Sequence, residues 1–425
     1  MSGPAPASLA ALGAAIASGR RRSEDIVGDC LARIEARERT IRAWVHLDPA
    51  AALAQARRRD AERPRSPLHG VPIAVKDIFD TVDMPTAYGS PIYAGHRPVR
   101  DAAAVALLRE AGAVILGKTV TTEFAAAFPG PTANPRNIAH TPGGSSSGSA
   151  AAVADGMVPA GLGTQTLGSV IRPATFCGIP GFKPTYGLVP ADGLKPAAHS
   201  LDTVGFLLSD IGDAALLLGA LTPRRDWQAP LPAAPRIAVM RGPAWAMAQP
   251  ETVAAVDRAA ERFARAGARV AEVPPPPALE ALREVAWTIL CYETCQNLTH
   301  ERIAHADRIS PPMHGLFAQA AAMTVDEYRA ALARMSEARA ALDAAVAGYD
   351  AVLTAATPGE APRGLEATGD AVFNRAWTAA HLPCATLPAG AGPNGLPVGV
   401  QLVAARWRDA ELIALARWAA PQLAA

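Results

Sequence analysis

Residues 141–186 read TPGGSSSGSAAAVADGMVPAGLGTQTLGSVIRPATFCGIPGFKPTY. Two glycine-serine loops stand in this stretch, Gly143-Gly144-Ser145-Ser146-Ser147-Gly148-Ser149 and Gly163-Thr164-Gln165-Thr166-Leu167-Gly168-Ser169. Glycine lets backbone approach backbone, and serine supplies a hydroxyl at the point of approach. The alanine-rich run 149–160 between the loops is expected to be a short packed helix. Hydroxyl-bearing loops clamped by a helix of small residues describe a catalytic centre. A flexible connector would not be flanked at once by dense apolar and proline signals.

Working outward, half of the 425 residues are hydrophobic and 19% are charged, so the chain can bury a large core. Before the loops, 8–60 reads as two helices, the second carrying Ile26, Leu31, Ile34, Ile41 and Trp44 on one face. Val71-Pro72-Ile73-Ala74-Val75 suits a buried strand ending at Lys76-Asp77, 101–111 a helix and 113–116 a strand. After Tyr186, strand patterns at 236–240, 351–354 and 396–402 alternate with helices near 210–221, 250–267 and 409–424. Residues 278–347 read as almost wholly helical. This alternation gives an α/β fold, a mixed β-sheet covered by helices. One intertwined domain over 1–425 is expected, with the helices of 1–60 packed on it and 278–347 inserted near the substrate pocket.

Charge and cysteine content narrow the function classes. Forty basic residues against 39 acidic leave a net charge of +1, and the arginine triplets at 20–22 and 57–59 fall in helical contexts, as solvated faces. Neither a nucleic-acid surface nor a membrane span follows from such a pattern. The five cysteines are scattered without zinc spacing, which suits reduced thiols in a cytoplasmic protein with no metal and no cofactor. The N-terminal arginines follow the apolar run instead of preceding it, the wrong order for a signal peptide.

Three chemistries compete for the loops. A phosphate cradle needs glycines at a set spacing or a Walker lysine; here the third glycine arrives late, at Gly168, and no such lysine follows. A nucleophile elbow matches Gly144-Ser145-Ser146-Ser147-Gly148, with Ser146 central, and would have to recruit Asp202 with His300 or His381. The third is a serine activated by a lysine whose pKa is lowered by desolvation. Lys76 is placed for that role at the tip of the most apolar strand candidate of the first hundred residues, where open sheets build active sites.

At this point the residues resemble the amidase signature family over nearly the whole chain. The matching segments are Leu68-His69-Gly70-Val71-Pro72-Ile73-Ala74-Val75-Lys76-Asp77, Gly117-Lys118-Thr119 with Glu123-Phe124, the two serine loops with Phe176-Cys177-Gly178, Gly181-Phe182-Lys183-Pro184-Thr185, and Leu396-Pro397-Val398-Gly399-Val400-Gln401-Leu402. The resemblance implies a Ser-cisSer-Lys triad of Ser169 as nucleophile, Ser145 as bridge and Lys76 as base. It also implies a cis peptide between Gly144 and Ser145, and an oxyanion hole from the backbone N–H groups of Thr166, Leu167, Gly168 and Ser169. Gly143, Gly144, Ser146, Gln165 and Arg172 would support the loops. The family's usual GTDTGGS is here Gly163-Thr164-Gln165-Thr166-Leu167-Gly168-Ser169, and an arginine usually two positions after the nucleophile comes one later, at Arg172. A rearranged polar support and an altered pocket wall are therefore expected.

The activity implied is hydrolysis of a small carboxamide to carboxylate and ammonia or amine through an acyl-enzyme on Ser169. A small-molecule amide, no direct nucleic-acid contact, no membrane and a homodimer complete that expectation. The alternative is the catalytic component of an assembly, resembling the glutaminase component of the glutamyl-tRNA amidotransferase or a biuret or allophanate hydrolase component. Trp287, Tyr292, Phe317 and Tyr328 in the helical section read as core residues before pocket residues, and Arg302 and Arg308 as solvated charges.

Overall fold

The computed structural model describes residues 7–224 and 226–424. Its described strands are β1 (Trp44–Leu47), β2 (Pro72–Lys76), β3 (Val114–Thr119), β4 (Ala160–Gln165), β5 (Gly181–Lys183), β6 (Thr203–Leu208), β7 (Arg236–Met240), β8 (Arg269–Val273), β9 (Ala351–Ala355), β10 (Cys384–Ala391) and β11 (Pro397–Val403). They form one mixed sheet in the order β1-β3-β2-β4-β6-β5-β10-β11-β9-β7-β8. β2 runs parallel to both β3 and β4, so their carboxyl ends emerge at one edge. Every residue of β2, β3 and β4 is buried, as expected of parallel strands covered on both faces.

The alternation of strand and helix patterns is realised as an α/β sheet, and the additional strands have physical reasons for escaping notice. Residues 160–165 read as the start of a glycine loop but form β4. Their glycines are required by close approach: a Cβ on Gly163 would lie 2.7 Å from Ser146 Oγ and 2.8 Å from Leu207 Cδ2. The N-terminal reading also needs correction. Residues 8–60 form three helices, Leu9–Ala17, Ser23–Ile41 and Pro49–Asp60, with β1 between the last two. The second helix stops because Arg42 takes the left-handed conformation (φ 55°), and Trp44, assigned to its apolar face, instead opens β1 antiparallel to β3.

The helix expected between the loops runs over Ser147–Ala154, ending before β4 begins. It is nearly all serine, glycine and alanine because the sheet leaves no room for more. A Cβ on Gly148 would meet the Ala43 carbonyl oxygen at 2.2 Å and the Val120 nitrogen at 2.4 Å, while the Gly148 N–H donates to the Val120 carbonyl. The section 278–347 is built from Pro277–Asn297, Thr299–Ala304, Pro311–Ala321 and Val325–Val346. The Ser310-Pro311-Pro312 interruption is a helix start, with proline at the first helical position, where its missing N–H costs nothing.

Gly148→Ala is expected to destabilise the protein by about 1–3 kcal/mol, because neither backbone atom it meets can move without breaking the β1–β3 edge. Urea unfolding of wild type and variant measures this, and an unchanged midpoint would contradict the packing described.

Candidate active site

The two serine loops and the end of β2 meet at the carboxyl edge of the three parallel strands. Lys76, the last residue of β2, is completely buried, and its Nζ lies 2.7 Å from Ser145 Oγ and 2.8 Å from Thr164 Oγ1. Burial disfavours the ammonium and brings the Lys76 pKa from its ordinary value near 10.5 down to about 7. The carboxylate of Asp202 opposes that shift through space. Two other lysines are as deeply buried, yet their surroundings differ. Lys118 is ion-paired to Asp77 at 3.0 Å, and Lys183 donates to the Pro184 carbonyl at 2.9 Å. Lys76 is the one whose nitrogen contacts a serine hydroxyl among the described residues.

Ser145 follows a cis peptide bond to Gly144, the conformation that the resemblance implies. The neighbouring serines have other work. Ser146 Oγ donates to the Thr164 carbonyl and accepts from the Thr164 N–H, both at 3.3 Å. Ser149 Oγ donates to the Leu162 carbonyl at 2.9 Å, and Ser147 Oγ to the Val120 carbonyl at 3.4 Å. These hydroxyls stitch the short helix to the strands. Ser146, central in the GxSxG match, is thereby committed to β4. The acid and histidines that an elbow would need are committed too. Asp202 accepts from Thr166 Oγ1 at 2.6 Å and from the N–H groups of Ala197 and Ala198. His381 Nε2 bonds the Ser200 carbonyl, and burial drives its pKa down to about 3; His300 packs against His305.

Ser169 closes the loop that leaves β4 and precedes the helix Ile171–Cys177. The Ser146 N–H donates to the Ser169 carbonyl at 3.4 Å, which ties the two serine loops together. Among the described residues, no protein acceptor pairs with the N–H groups of Thr166, Leu167, Gly168 or Ser169. Four consecutive unpaired donors beside a serine can receive a negatively charged oxygen.

The atypical residues of this loop form a connected support. Gln165 Oε1 accepts from the N–H groups of Val170 (2.9 Å) and Ile171 (3.0 Å), while its Nε2 donates to Thr378 Oγ1 at 2.9 Å. Thr378 Oγ1 in turn donates to the Leu167 carbonyl at 2.8 Å. An amide can accept on one side and donate on the other, which a carboxylate cannot. Arg172 is buried and reaches the first loop: its Nη2 donates to the Gly144 carbonyl at 2.7 Å and to Thr368 Oγ1, and its Nη1 donates to the Gly369 carbonyl. Gly143 adopts φ 81°, where a Cβ would also crowd the Pro173 backbone at 2.9 Å.

Ser169 opens onto a cavity of about 350 Å³ whose wall includes Thr166, Leu167, Arg172, Trp287, Asp370 and Arg375. Leu167 thus contributes a pocket wall, as its side chain beside Ser169 leads one to expect. Of the aromatic residues singled out in the helical section, Trp287 lines this cavity, whereas Tyr292 and Tyr328 stack on each other 4.1 Å apart and Phe317 is buried in the core. Arg308 donates to the Pro91 carbonyl and lies outside the cavity wall, as does Arg302. Sequence reasoning missed Thr164, Thr378, Asp370 and Arg375. Thr164 lay in plain view one residue from Gln165; the others are brought in by chain segments remote from the loops.

Among the described residues, no helix is long and apolar enough to cross a membrane, and no group of three or more histidine, cysteine or acidic residues could hold a metal ion.

Comparison with known proteins fits this geometry. The amidase family model matches residues 25–413. A glutamyl-tRNA(Gln) amidotransferase subunit from Anaeromyxobacter sp. is 35% identical over 95% of this chain and 94% of its own length. The corresponding protein of Chloroflexus aggregans is 44% identical over 54% of this chain; that match, like those to two Chloroflexus aurantiacus relatives, spans about half of the relative's length. Among solved structures, an amidase superposes with a TM-score of 0.91 at 31% identity, covering 98% of this chain and all of the other. A chain from a vestigial protein complex, related to the origins of an s-triazine catabolic enzyme, gives 0.87 at 29% identity over 98% of both. These relatives correct one expectation, that of a homodimer acting on a small-molecule amide with no nucleic acid involved. The relatives are each named as one subunit of an enzyme whose name carries a tRNA, and one structural neighbour belongs to a complex. They agree instead with the alternative drawn from the resemblance, a component of an assembly such as the glutamyl-tRNA amidotransferase. With its matched family model, its full-length relative and its buried serine-lysine centre, the chain belongs to the amidase signature family.

Proposed function

We propose that this chain cleaves the C–N bond of a carboxamide through an acyl-enzyme on Ser169, as the amide-cleaving component of a larger assembly of the amidotransferase type. The observation that carries the chemistry is Lys76 Nζ, buried and 2.7 Å from Ser145 Oγ, at a cavity that contains Ser169. Neutral Lys76 takes the proton of Ser145 as Ser145 takes that of Ser169, and Ser169 Oγ bonds the carbonyl carbon. The carbonyl oxygen, now negative, is received by the unpaired N–H groups of 166–169. Each such donor typically supplies about 3–4 kcal/mol of transition-state stabilisation. Lys76 returns the proton through Ser145 to the leaving nitrogen, which departs as a neutral amine or ammonia. Water then attacks the ester by the same relay in reverse, freeing the carboxylate. The assembly reading is supported by the relative that matches along 94% of its own length and is named as one subunit of an amidotransferase. A stand-alone amidase is the second reading, favoured by the amidase structure that this chain covers completely.

Ser169→Ala is expected to lower amide turnover by about 10⁴-fold or more, since the acyl-enzyme cannot form. A fluorophosphonate probe should place its adduct on Ser169 by mass spectrometry. An adduct on Ser146, with activity kept in Ser169→Ala, would overturn the assignment.

The pH dependence follows from Lys76. Only its neutral form accepts a proton, and burial sets its pKa at about 7. The value of kcat/KM should therefore rise about tenfold per pH unit below 7 and level off above. Asp202 holds that pKa up, so Asp202→Asn should move the rising limb to lower pH. A limb that stays in place would remove Asp202 from the electrostatics of the site.

Gel filtration combined with a panel of amides, glutamine and biuret included, separates the two readings. Negligible turnover by the isolated chain, with activity gained on co-expression with the other amidotransferase components of the same genome, supports the assembly. Full turnover by the chain alone at a defined size rejects it.

A further inference from the structure

An unpaired N–H helps an anion only if its peptide plane is held in the right orientation. In a trans peptide the C=O and the next residue's N–H point in opposite directions, so a carbonyl fixed on one side aims that N–H to the other. Two planes of the Ser169 loop are held in this way. The Gly168 carbonyl accepts from the Arg172 N–H at 2.9 Å, a backbone contact that aims the Ser169 N–H. No backbone N–H reaches the Leu167 carbonyl among the described residues; Thr378 Oγ1 donates to it at 2.8 Å. The Gly168 N–H is therefore aimed by a side chain of the short helix Arg375–Ala379, 211 residues further along the chain than Leu167.

The Thr378 hydroxyl has one proton, and its surroundings decide where that proton goes. Gln165 Nε2 donates to Oγ1 at 2.9 Å, so the hydroxyl must give its own proton elsewhere. The Asn374 carbonyl lies 3.2 Å away and already accepts the Thr378 N–H, which leaves the Leu167 carbonyl as the closer and freer acceptor. Thr378 is completely buried, so solvent does not compete for the proton. Gln165 also occupies the N–H groups of Val170 and Ile171, which leaves an anion to the N–H groups of 166–169. The loop backbone is pressed against the same short helix and its approach: a Cβ on Gly168 would lie 2.5 Å from Asn374 Oδ1 and 2.9 Å from Ala371 Cβ.

We infer that Thr378 is a positioning residue for the reaction. Its hydroxyl, oriented by Gln165, fixes the Leu167–Gly168 peptide so that the Gly168 N–H faces the negative oxygen of the tetrahedral intermediate. Thr378 touches no reacting atom and acts through that peptide alone. This rests on the reading of Ser169 as the nucleophile and adds a residue, remote in sequence, on which the anion site depends.

The test follows hydrolysis of p-nitrophenyl acetate, and the rate of fluorophosphonate adduct formation on Ser169, in wild type, Ser169→Ala, Thr378→Val and Thr378→Ser. Thr378→Val keeps the shape of the side chain and loses the donor. Its kcat should fall by about 10–100-fold, short of the 10²–10³-fold lost when such a donor is removed outright. KM should stay within about threefold, because the misaimed N–H is felt in the transition state and not in the bound ester. Adduct formation should slow by a similar factor, and Thr378→Ser should recover most of both losses. The rising limb near pH 7 should stay in place in Thr378→Val, because Lys76 keeps its contacts; a general loosening of the site would move it. Undiminished kcat in a folded Thr378→Val overturns the inference, as does a loss confined to KM or a displaced limb. Should Thr378→Val fail to fold, Thr378→Cys, whose thiol is only a weak donor, takes its place with the same outcomes. Ser169→Ala separates the two readings. If it hydrolyses the ester as wild type does, the nucleophile assignment fails and the role of Thr378 with it. If it is inactive while Thr378→Val is fully active, the role of Thr378 alone is refuted.

Discussion

A lysine held in the core without a carboxylate in contact is the condition on which this molecule depends. An ammonium there would be poorly solvated, so Lys76 is brought towards neutrality at ordinary pH. That is possible only because β2, β3 and β4 are covered on both faces and because the nearest groups to Nζ are two hydroxyls. The contrast with Lys118 is instructive. It lies one strand away and equally buried; burial lowers its pKa too, but Asp77, 3.0 Å from its nitrogen, opposes that shift by contact. Two lysines at the same sheet edge thus differ in what their nitrogens touch, two hydroxyls for Lys76 and a carboxylate for Lys118.

Everything around Lys76 is arranged to hold hydroxyls and N–H groups in place without bringing charge close. The helix Ser147–Ala154 has side chains no larger than valine, because Gly148 touches the β1–β3 backbone and Gly161 faces Ser149. Its surplus serines satisfy strand carbonyls, which explains why the serine-rich loop holds few free hydroxyls. The Ser169 loop uses a different device. Gln165 gathers two N–H groups at the start of the following helix and passes its own donor to Thr378, which fixes the Leu167 carbonyl. With that carbonyl turned away, the loop's N–H groups are left unpaired. Gln165 therefore fits this loop, because Thr378 supplies a hydroxyl where a donor is needed.

The family relationship and the chemistry of the centre reinforce each other, while substrate and partners belong to a different layer of the structure. The serine-lysine centre lies on a sheet edge of a fold shared by relatives named amidases and relatives named amidotransferase subunits. The cavity wall combines Thr166 and Leu167 of the second serine loop with residues of the helix Pro277–Asn297 and of 367–375, segments far from that loop in sequence.

The sequence by itself determined where the candidate centre lies. The glycines, serines and apolar runs around Lys76 and in the two loops report close backbone approach residue by residue, while the choice of Ser145 and Ser169 among the loop serines came from the resemblance to the family. It also determined the α/β class, since strand and helix periodicities are local properties. It did not determine that Gly163-Thr164-Gln165 would finish a strand, that Trp44 would leave its helix, or that Trp287 would face the cavity while Tyr292 and Tyr328 stacked on each other. Nor did it reveal that Thr378 would hold the loop or that Arg375 would enter the pocket. Those outcomes depend on which segments the sheet order brings together, with Thr378 more than 200 residues from Gln165. Contacts at such separation leave no periodic trace in the chain, and only the closed tertiary structure decides them.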